Sequence, residues 1–482
     1  MTGNAAAPRL SPAQLRNVLA GLMLALFMAA LDQTIVAVAL PDIARNLPGS
    51  ELLAWVVSGY LLAMTVSTPI FGKLGDLLGR RRLLAGAIAL FVLASLLCGL
   101  AQDMPQLVLG RVLQGIGAGG VQAITQALVG DLIAPAERGR YQAWFSGMFA
   151  LASLIGPPLG GLLSSQWSWR WVFWINLPLG VLAIVLSLRS TAGLPEKRRA
   201  ARIDYLGSAL LILGLGNLLL LISRLGQQPN WQTAENGQAL LLAVVGLALF
   251  LVQQRRSAEP LIPLGLLRIP PVRAGWLLLF FANFQAVGLA VLIPLHAHSA
   301  GGAGAGASQL MALAFGAPLG AFIAGSLSAR LGRYKPMILC GTLLMPIALV
   351  LLALLPNDQA LLQIPALLLC GAALGMQFPT SLVAVQSAAP VNDLGVATGV
   401  CGLFRGLGGA LGVALLSSLL WHLLPGFDAG ALAETGGTAS VLDDNLLRQA
   451  FRTLLLIDAG IAVLPLLIAL SLEDRTLSRR LS

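Results

Sequence analysis

Residues 22–41 read LMLALFMAALDQTIVAVALP. As a helix, a run of about twenty residues spans about 30 Å, the thickness of bilayer hydrocarbon. The stretch is apolar except for Asp32, Gln33 and Thr34. A carboxylate at that depth costs about 2.5–3.5 kcal/mol on insertion scales, and such residues mark function by default. Asp32 is therefore expected to face a cavity, never lipid. Upstream, Arg9, Arg16 and the small-residue Met28-Ala29-Ala30 resemble a cleavable signal peptide. The apolar run resumes after Thr34 and continues to Leu40, so the segment is read as a retained first helix.

The rest of the chain agrees with a membrane solvent. Of 482 residues, 57% are hydrophobic and 10% charged, whereas a soluble protein is about 25% charged. About fourteen apolar runs recur, from 17–40 to 453–472, including a mid-chain pair at 206–222 and 238–253. This is the pattern of an all-α polytopic membrane protein. With the N-terminus placed in the cytoplasm, twenty-three of the thirty Lys and Arg fall in inner segments and five in outer ones; Arg111 and Arg405 lie inside helices. That asymmetry predicts a multi-pass protein of the cytoplasmic (inner) membrane with both termini in the cytoplasm. The net charge of +10 then faces anionic lipid and requires no nucleic acid.

Several features read as structure rather than chemistry. Cys98, Cys340, Cys370 and Cys401 are scattered and apolar in context, without metal or disulfide spacing. His296, His298 and His422 fall at the predicted outer face, and the first two form at most a metal pair. GIGAGG (115–120) matches a dinucleotide fingerprint, yet it follows no strand; close helix packing is the expectation. GGAGAGAS (301–308) reads as an outer loop, and the acidic segment 421–452 as another, too short for its own core. No phosphate-binding GxxxxGK[ST] is present. An enzyme is not expected, and neither is a cofactor.

One repeat is legible. GKLGDLLGRR (72–81) aligns with GSLSARLGRY (325–334) at both Gly, both Leu and the first Arg. Eight predicted helices separate the copies, where two six-helix halves would give six. Two helices are inserted, and internal repeats are typical of secondary transporters.

GKLGDLLGRR resembles the loop signature of the major facilitator superfamily, G-x-L-x-D-x-x-G-R-[RK], with Leu77 where that family often has Arg. LDQTIVAVALP (31–41), LGRVLQGIGAG (109–119), GPPLGG (156–161), WRWVFWINLPLG (169–180) and FRGLGGALG (404–412) further resemble its fourteen-helix drug:proton antiporter branch. The resemblance implies two six-helix bundles at 1–190 and 274–482, with two inserted helices and linkers at 191–273. It implies a multidrug efflux transporter that exports small lipophilic, cationic compounds against protons, using the proton gradient and no cofactor. Its partners are substrate, protons and membrane lipid; a periplasmic adaptor protein is left open. Export of a metabolite, siderophore or lipid on the same fold is the alternative, and a non-transporting receptor the remote one.

Residue roles follow. Arg111 in helix four cannot lose its charge and needs an acid or several acceptors. Helices one and four are close by resemblance, making Asp32 its candidate partner and the proton carrier; backbone carbonyls with Gln114 are the alternative. Gly72, Asp76, Gly79 and Arg80 would form a cytoplasmic gate latch, or else a capped turn anchored at the membrane edge. In the antiporter motif, Pro157 and Pro158 remove backbone donors, while Gly156, Gly160 and Gly161 admit another helix. Gln33, Tyr60, Asn283, Gln285, Arg405 and Asp458 are candidates for a substrate cavity, and Asp458 also for a second protonation site. Trp55, Trp144, Phe149 and Phe404 are weaker aromatic candidates.

Overall fold

A computed structural model of the chain describes residues 11–190, 203–227, 233–300, 303–355, 360–424 and 444–477. Among the described residues, fourteen helices are long and apolar enough to cross a membrane. The first, α1 (Pro12–Asn46), starts on a capping box. The Ser11 hydroxyl accepts from the Gln14 N–H, the Gln14 side chain accepts from the Ser11 N–H, and Pro12 opens the helix. α2 (Leu53–Leu78), α3 (Arg80–Leu100), α4 (Met104–Leu132) and α5 (Pro135–Gln166) follow. α6 (Trp171–Trp174) and α7 (Asn176–Ser190) make up one span, broken at Ile175. α8 (Tyr205–Gln227) and α9 (Ala234–Arg256) come next, then α10 (Pro270–Ala300), α11 (Ala303–Leu331), α12 (Lys335–Leu354), α13 (Ala360–Ala388) and α14 (Leu394–Leu423). α15 (Asp444–Ile461) and α16 (Val463–Leu470) share the last span.

Small residues set the packing distances. Gly115 and Gly119 of the GIGAGG run lie against Tyr60 and Ser67 of α2, and Gly117 lies against Phe91 of α3. Gly120 is wedged between Phe71 and Ala87. With no lipid-excluding force to gather helices, such close backbone approach is what holds them. α11 and α13 meet in the same way through Gly316, Gly320, Gly371 and Gly375. α8 and α9 pack on each other through Gly214 and Gly246. Asp204 ties that hairpin, accepting from the Gly207 N–H and from the Gln253 and Gln254 amides.

The repeat is structural as well as sequential. α2 and α11 are both followed by a glycine with positive φ, a conformation L side chains rarely adopt: Gly79 has φ 95° and Gly332 has φ 65°. Gly72 packs on the Gly395 backbone, and its counterpart Gly325 packs on the Gly139 backbone. Arg80 pairs with Asp131 at 2.8 Å, and its counterpart Arg333 pairs with Asp474 at 2.8 Å. The copies differ at Asp76, where the second has Ala329.

Tertiary contacts divide the chain into one unit of residues 1–132, 151–203 and 391–399, and another of 133–150, 204–390 and 400–482. These divisions differ from the linear boundaries 1–190, 191–273 and 274–482. Long helices do not switch allegiance at their ends: α5 divides within its own length, and the first turns of α14 group with the first unit. The α8–α9 hairpin groups with the second.

Two sequence expectations need correction. The run 301–308 is helical from Ala303 onward, because alternating Gly and Ala leave an N-terminal turn free to form ahead of an apolar segment; residues 301–302 lie outside the described residues. The supposed loop 421–452 is helical up to Leu423 and again from Asp444, so Arg448 and Arg452 belong to α15. Residues 425–443, the basic linker 191–202, Arg9 and Arg479–Arg480 lie outside the described residues, as do the side chains of His296 and His298.

Candidate functional site

Asp32 and Arg111 are in contact within the first unit. Arg111 Nη1 donates to Asp32 Oδ2 at 2.5 Å, with the two side chains 1% and 0% exposed. Arg111 is thus not left to backbone carbonyls and Gln114 alone, though it also donates to Gln114 Oε1 at 2.7 Å and from Nε to the Val56 carbonyl at 2.9 Å. The other carboxylate oxygen is equally provided for. Asp32 Oδ1 accepts from the Gln114 amide at 2.8 Å and from the Asn176 amide at 2.8 Å. Both amides also donate to Ser95 Oγ, at 3.1 and 3.0 Å, and Ser95 donates onward to the Phe173 carbonyl at 2.8 Å. The guanidinium lies 4.1 Å from the Tyr60 ring centroid and 5.9 Å from that of Phe173, a cation–π casing.

The arrangement is thus an ion pair inside a hydrogen-bond network drawn from α1, α2, α3, α4, α6 and α7. A buried pair is tolerable when its remaining lone pairs and protons are satisfied; both Asp32 oxygens are, while Asn176 Oδ1 accepts no hydrogen bond among the described residues. Tyr60, considered for a substrate cavity, is wholly buried, donates to the Ala29 carbonyl at 3.4 Å and covers Arg111. Ser95 and Asn176 were not singled out from the sequence. Asn176 falls inside the WRWVFWINLPLG motif, which was a usable signal; Ser95 had none.

The polar trio on α1 diverges at about 100° per residue. Gln33 donates to the Met64 thioether of α2 at 3.5 Å. Thr34 donates to the Leu31 and Ala152 carbonyls at 3.0 and 3.1 Å, the latter on α5. The antiporter motif meets it there. Gly156 lies against Thr34 and Gly160 against Ile35, each too close for a side chain. Gly161 has more room, and Pro157 and Pro158 lie on the exposed face of α5.

At the end of α2, Asp76 gathers a second network, again inside the first unit. Its Oδ1 accepts from Arg80 at 2.9 Å and from the Gly395 N–H at 3.0 Å. Its Oδ2 accepts from the Val396 N–H at 2.9 Å. A carboxylate is thus set on the open N–H groups of the first turn of α14, where the helix dipole favours it. Arg80 bridges Asp76 to Asp131, a partner that the sequence reading missed. Arg81 donates to the Leu188 carbonyl at 3.0 Å, a protein contact where a lipid anchor was an option.

All the remaining candidates but Trp55 lie in the second unit. Asn283 donates to the Arg405 carbonyl at 2.8 Å. The Arg405 guanidinium lies 5.0 Å from the Phe378 ring centroid, with no acidic partner among the described residues. Phe404 stacks on Trp276, centroids 5.7 Å apart. Gln285 and Asp458 are buried without a hydrogen-bond partner among the described residues. Trp144 is exposed, and Trp55 and Phe149 are half-buried.

The major facilitator superfamily profile matches residues 22–413. The chain is 32% identical to the multidrug transporter protein MdtP of Bacillus subtilis, over 84% of this chain and 75% of that one. It is 30% identical to multidrug resistance protein 3 of the same organism, over 84% and 80%. An uncharacterised MFS-type transporter of Mycobacterium tuberculosis is 34% identical over 87% of this chain; the match covers 61% of that longer relative. Among solved structures, the proton:xylose symporter XylE matches with a TM-score of 0.61 at 14% identity, covering 94% and 96% of the two chains. The human organic anion transporter MFSD10 matches with a TM-score of 0.63 at 16% identity, covering 95% and 100%. The chain belongs to the major facilitator superfamily.

Proposed function

We propose that this chain is a proton-coupled antiporter that exports small lipophilic cations across the cytoplasmic membrane by alternating access, with both termini in the cytoplasm. The observation that carries the proposal is Asp32, a fully buried carboxylate in the first span held against Arg111. Two relatives named for multidrug transport or resistance support the efflux direction.

The geometry suggests how a proton acts. Oδ1 already accepts two amide N–H groups, while Oδ2 accepts only the Arg111 bond. A proton therefore lands on Oδ2 and displaces Nη1. Arg111 then keeps the Gln114 oxygen and the Val56 carbonyl, so its charge is not stranded. Protonation loosens α1 from α4 at one bond, and deprotonation restores it. A cationic substrate nearby competes with the proton for the same carboxylate, which couples the two fluxes. In alternating access the site opens first to one side and then to the other.

The test is drug or dye flux in proteoliposomes under an imposed pH gradient. Asp32→Asn keeps the volume and an acceptor oxygen but no charge. It should abolish gradient-driven export while protein still reaches the membrane. Full export by Asp32→Asn overturns the proposal. Arg405, a cation over an aromatic ring with no acid beside it, favours a second reading in which the cargo carries negative charge. Competition between anionic and cationic compounds in the same vesicles separates the two.

A further inference from the structure

The second unit holds a carboxyl that the Asp32 network leaves unused. Asp458 of α15 is 1% exposed, and neither of its oxygens has a hydrogen-bond partner among the described residues. A bare carboxylate without hydrogen bonds is among the costliest groups to bury. Something must accompany it.

Its neighbourhood narrows the choice. A small cavity of about 20 Å³ lies one turn away along α15, walled by Leu454 and Leu455. Residues three and four apart share a helix face, so Asp458 continues that wall. Opposite, the wall includes Leu289 of α10 and Leu367 of α13. One turn deeper on those helices are Gln285, whose amide nitrogen and oxygen are both unpartnered, and Cys370. The cavity's own polar lining is Gln309 and Gln363, bonded to each other at 2.6 Å. Its volume admits one water and excludes an organic cation.

Among the described residues, the groups packed against Asp458 bring no counter-ion. Cys370 of α13 is the ionisable side chain within its electrostatic reach. The facing turns of α12 supply Met345 and Leu349, and those of α10 supply Ala282, Gln285 and Leu289. Arg448 and Arg452 lie on α15 itself, two to three turns back.

We propose that Asp458 is a second proton-binding carboxyl, loaded through the water-sized cavity at Gln309 and Gln363, separate from the Asp32–Arg111 pair. Its use in transport rests on the antiport reading above; its existence rests on the cavity and the unpartnered oxygens. The cavity lies toward the ends of α10 and α12 and the starts of α11, α13 and α15, the outer side in the proposed topology. A proton arriving from outside would meet the Gln309–Gln363 pair first and then Asp458.

Infrared spectroscopy of the full chain in lipid tests this directly. Wild type should show a protonated-carboxyl C=O band that responds to pH and exchanges in heavy water. Asp458→Asn should lose that band, Asp458→Glu should retain it at a shifted position, and Asp32→Asn should leave it in place. Leu455→Trp, which fills the cavity, should slow its exchange several-fold. A band unchanged in folded Asp458→Asn overturns the site, and unchanged exchange in Leu455→Trp overturns the route. If Asp458→Asn does not fold, the shift in Asp458→Glu decides: an unshifted band overturns the site. Loss of the band in Asp458→Asn, together with full gradient-driven export by Asp32→Asn, would instead keep this site and remove the antiport reading.

Discussion

Asp32 and Arg111 stand 79 residues apart in the chain and touch in the structure. Their contact was legible because both are ionisable and lie in apolar helices, and because helices one and four are close in the family the sequence resembles. Ser95, Asn176 and Asp131 were not legible for the opposite reason. Uncharged polar side chains are cheap enough in a helix to need no named partner, and Asp131 sits at a helix end where solvent would serve it. Arg111→Lys tests how much of the site is shape. A lysine cannot hold Asp32, Gln114 and the Val56 carbonyl in one plane. It should lower export by roughly tenfold and stability by about 1.5–3 kcal/mol, read as flux and as thermal unfolding in detergent; unchanged flux would show that charge alone suffices. Backbone geometry gives a second residue-scale test. Gly79 has φ 95° and ψ 134°, a region that is essentially reserved for glycine. Gly79→Ala should destabilise by about 1–3 kcal/mol, whereas Gly265→Ala, with open space around it, should be near neutral.

Among elements, hydropathy located every span but not its ends. The apolar window 17–40 became α1 (Pro12–Asn46), because a helix continues past the lipid boundary wherever capping and solvation allow. The breaks at Ile175 and Ala462 carry no composition change and left no trace in the periodicity. The packing of α5 on α1 gives a sharp prediction. Gly156→Val and Gly160→Val push side chains into Thr34 and Ile35, so both should lose export and thermal stability, while Gly161→Ala should keep both. Equal behaviour of all three would remove the close-approach role of the motif. At the other network, Asp76→Ala leaves Arg80 with Asp131 alone and strands two N–H groups of α14. Leaving such groups without acceptors costs about 1–3 kcal/mol each. Protection of the Gly395 and Val396 amides from hydrogen exchange should therefore fall sharply in Asp76→Ala and partly in Asp76→Asn.

Across the whole molecule, the fourteen-helix architecture was legible from run lengths, and the inserted pair from one repeated decapeptide. What the linear sequence did not show is that α5 and α14 divide between two contact units within their own lengths, because which neighbours a helix face meets is a property of the folded chain. The distribution of Lys and Arg makes a prediction at this scale. Reporters fused at residue 1 and at residue 482 should both be active on the cytoplasmic side; a periplasmic reporter at either end would break the proposed topology.

The sheltering of the cysteines has a practical consequence. Cys98, Cys370 and Cys401 are buried, and Cys340 is half-buried. Thiol reagents should therefore find little to modify in the folded protein, and removing Cys340 alone should leave it nearly silent to maleimide dyes. Paired probes can then be introduced, one in each contact unit, without rebuilding the interior. A transporter of this kind arrives almost ready for distance measurements during turnover, by fluorescence or by spin label.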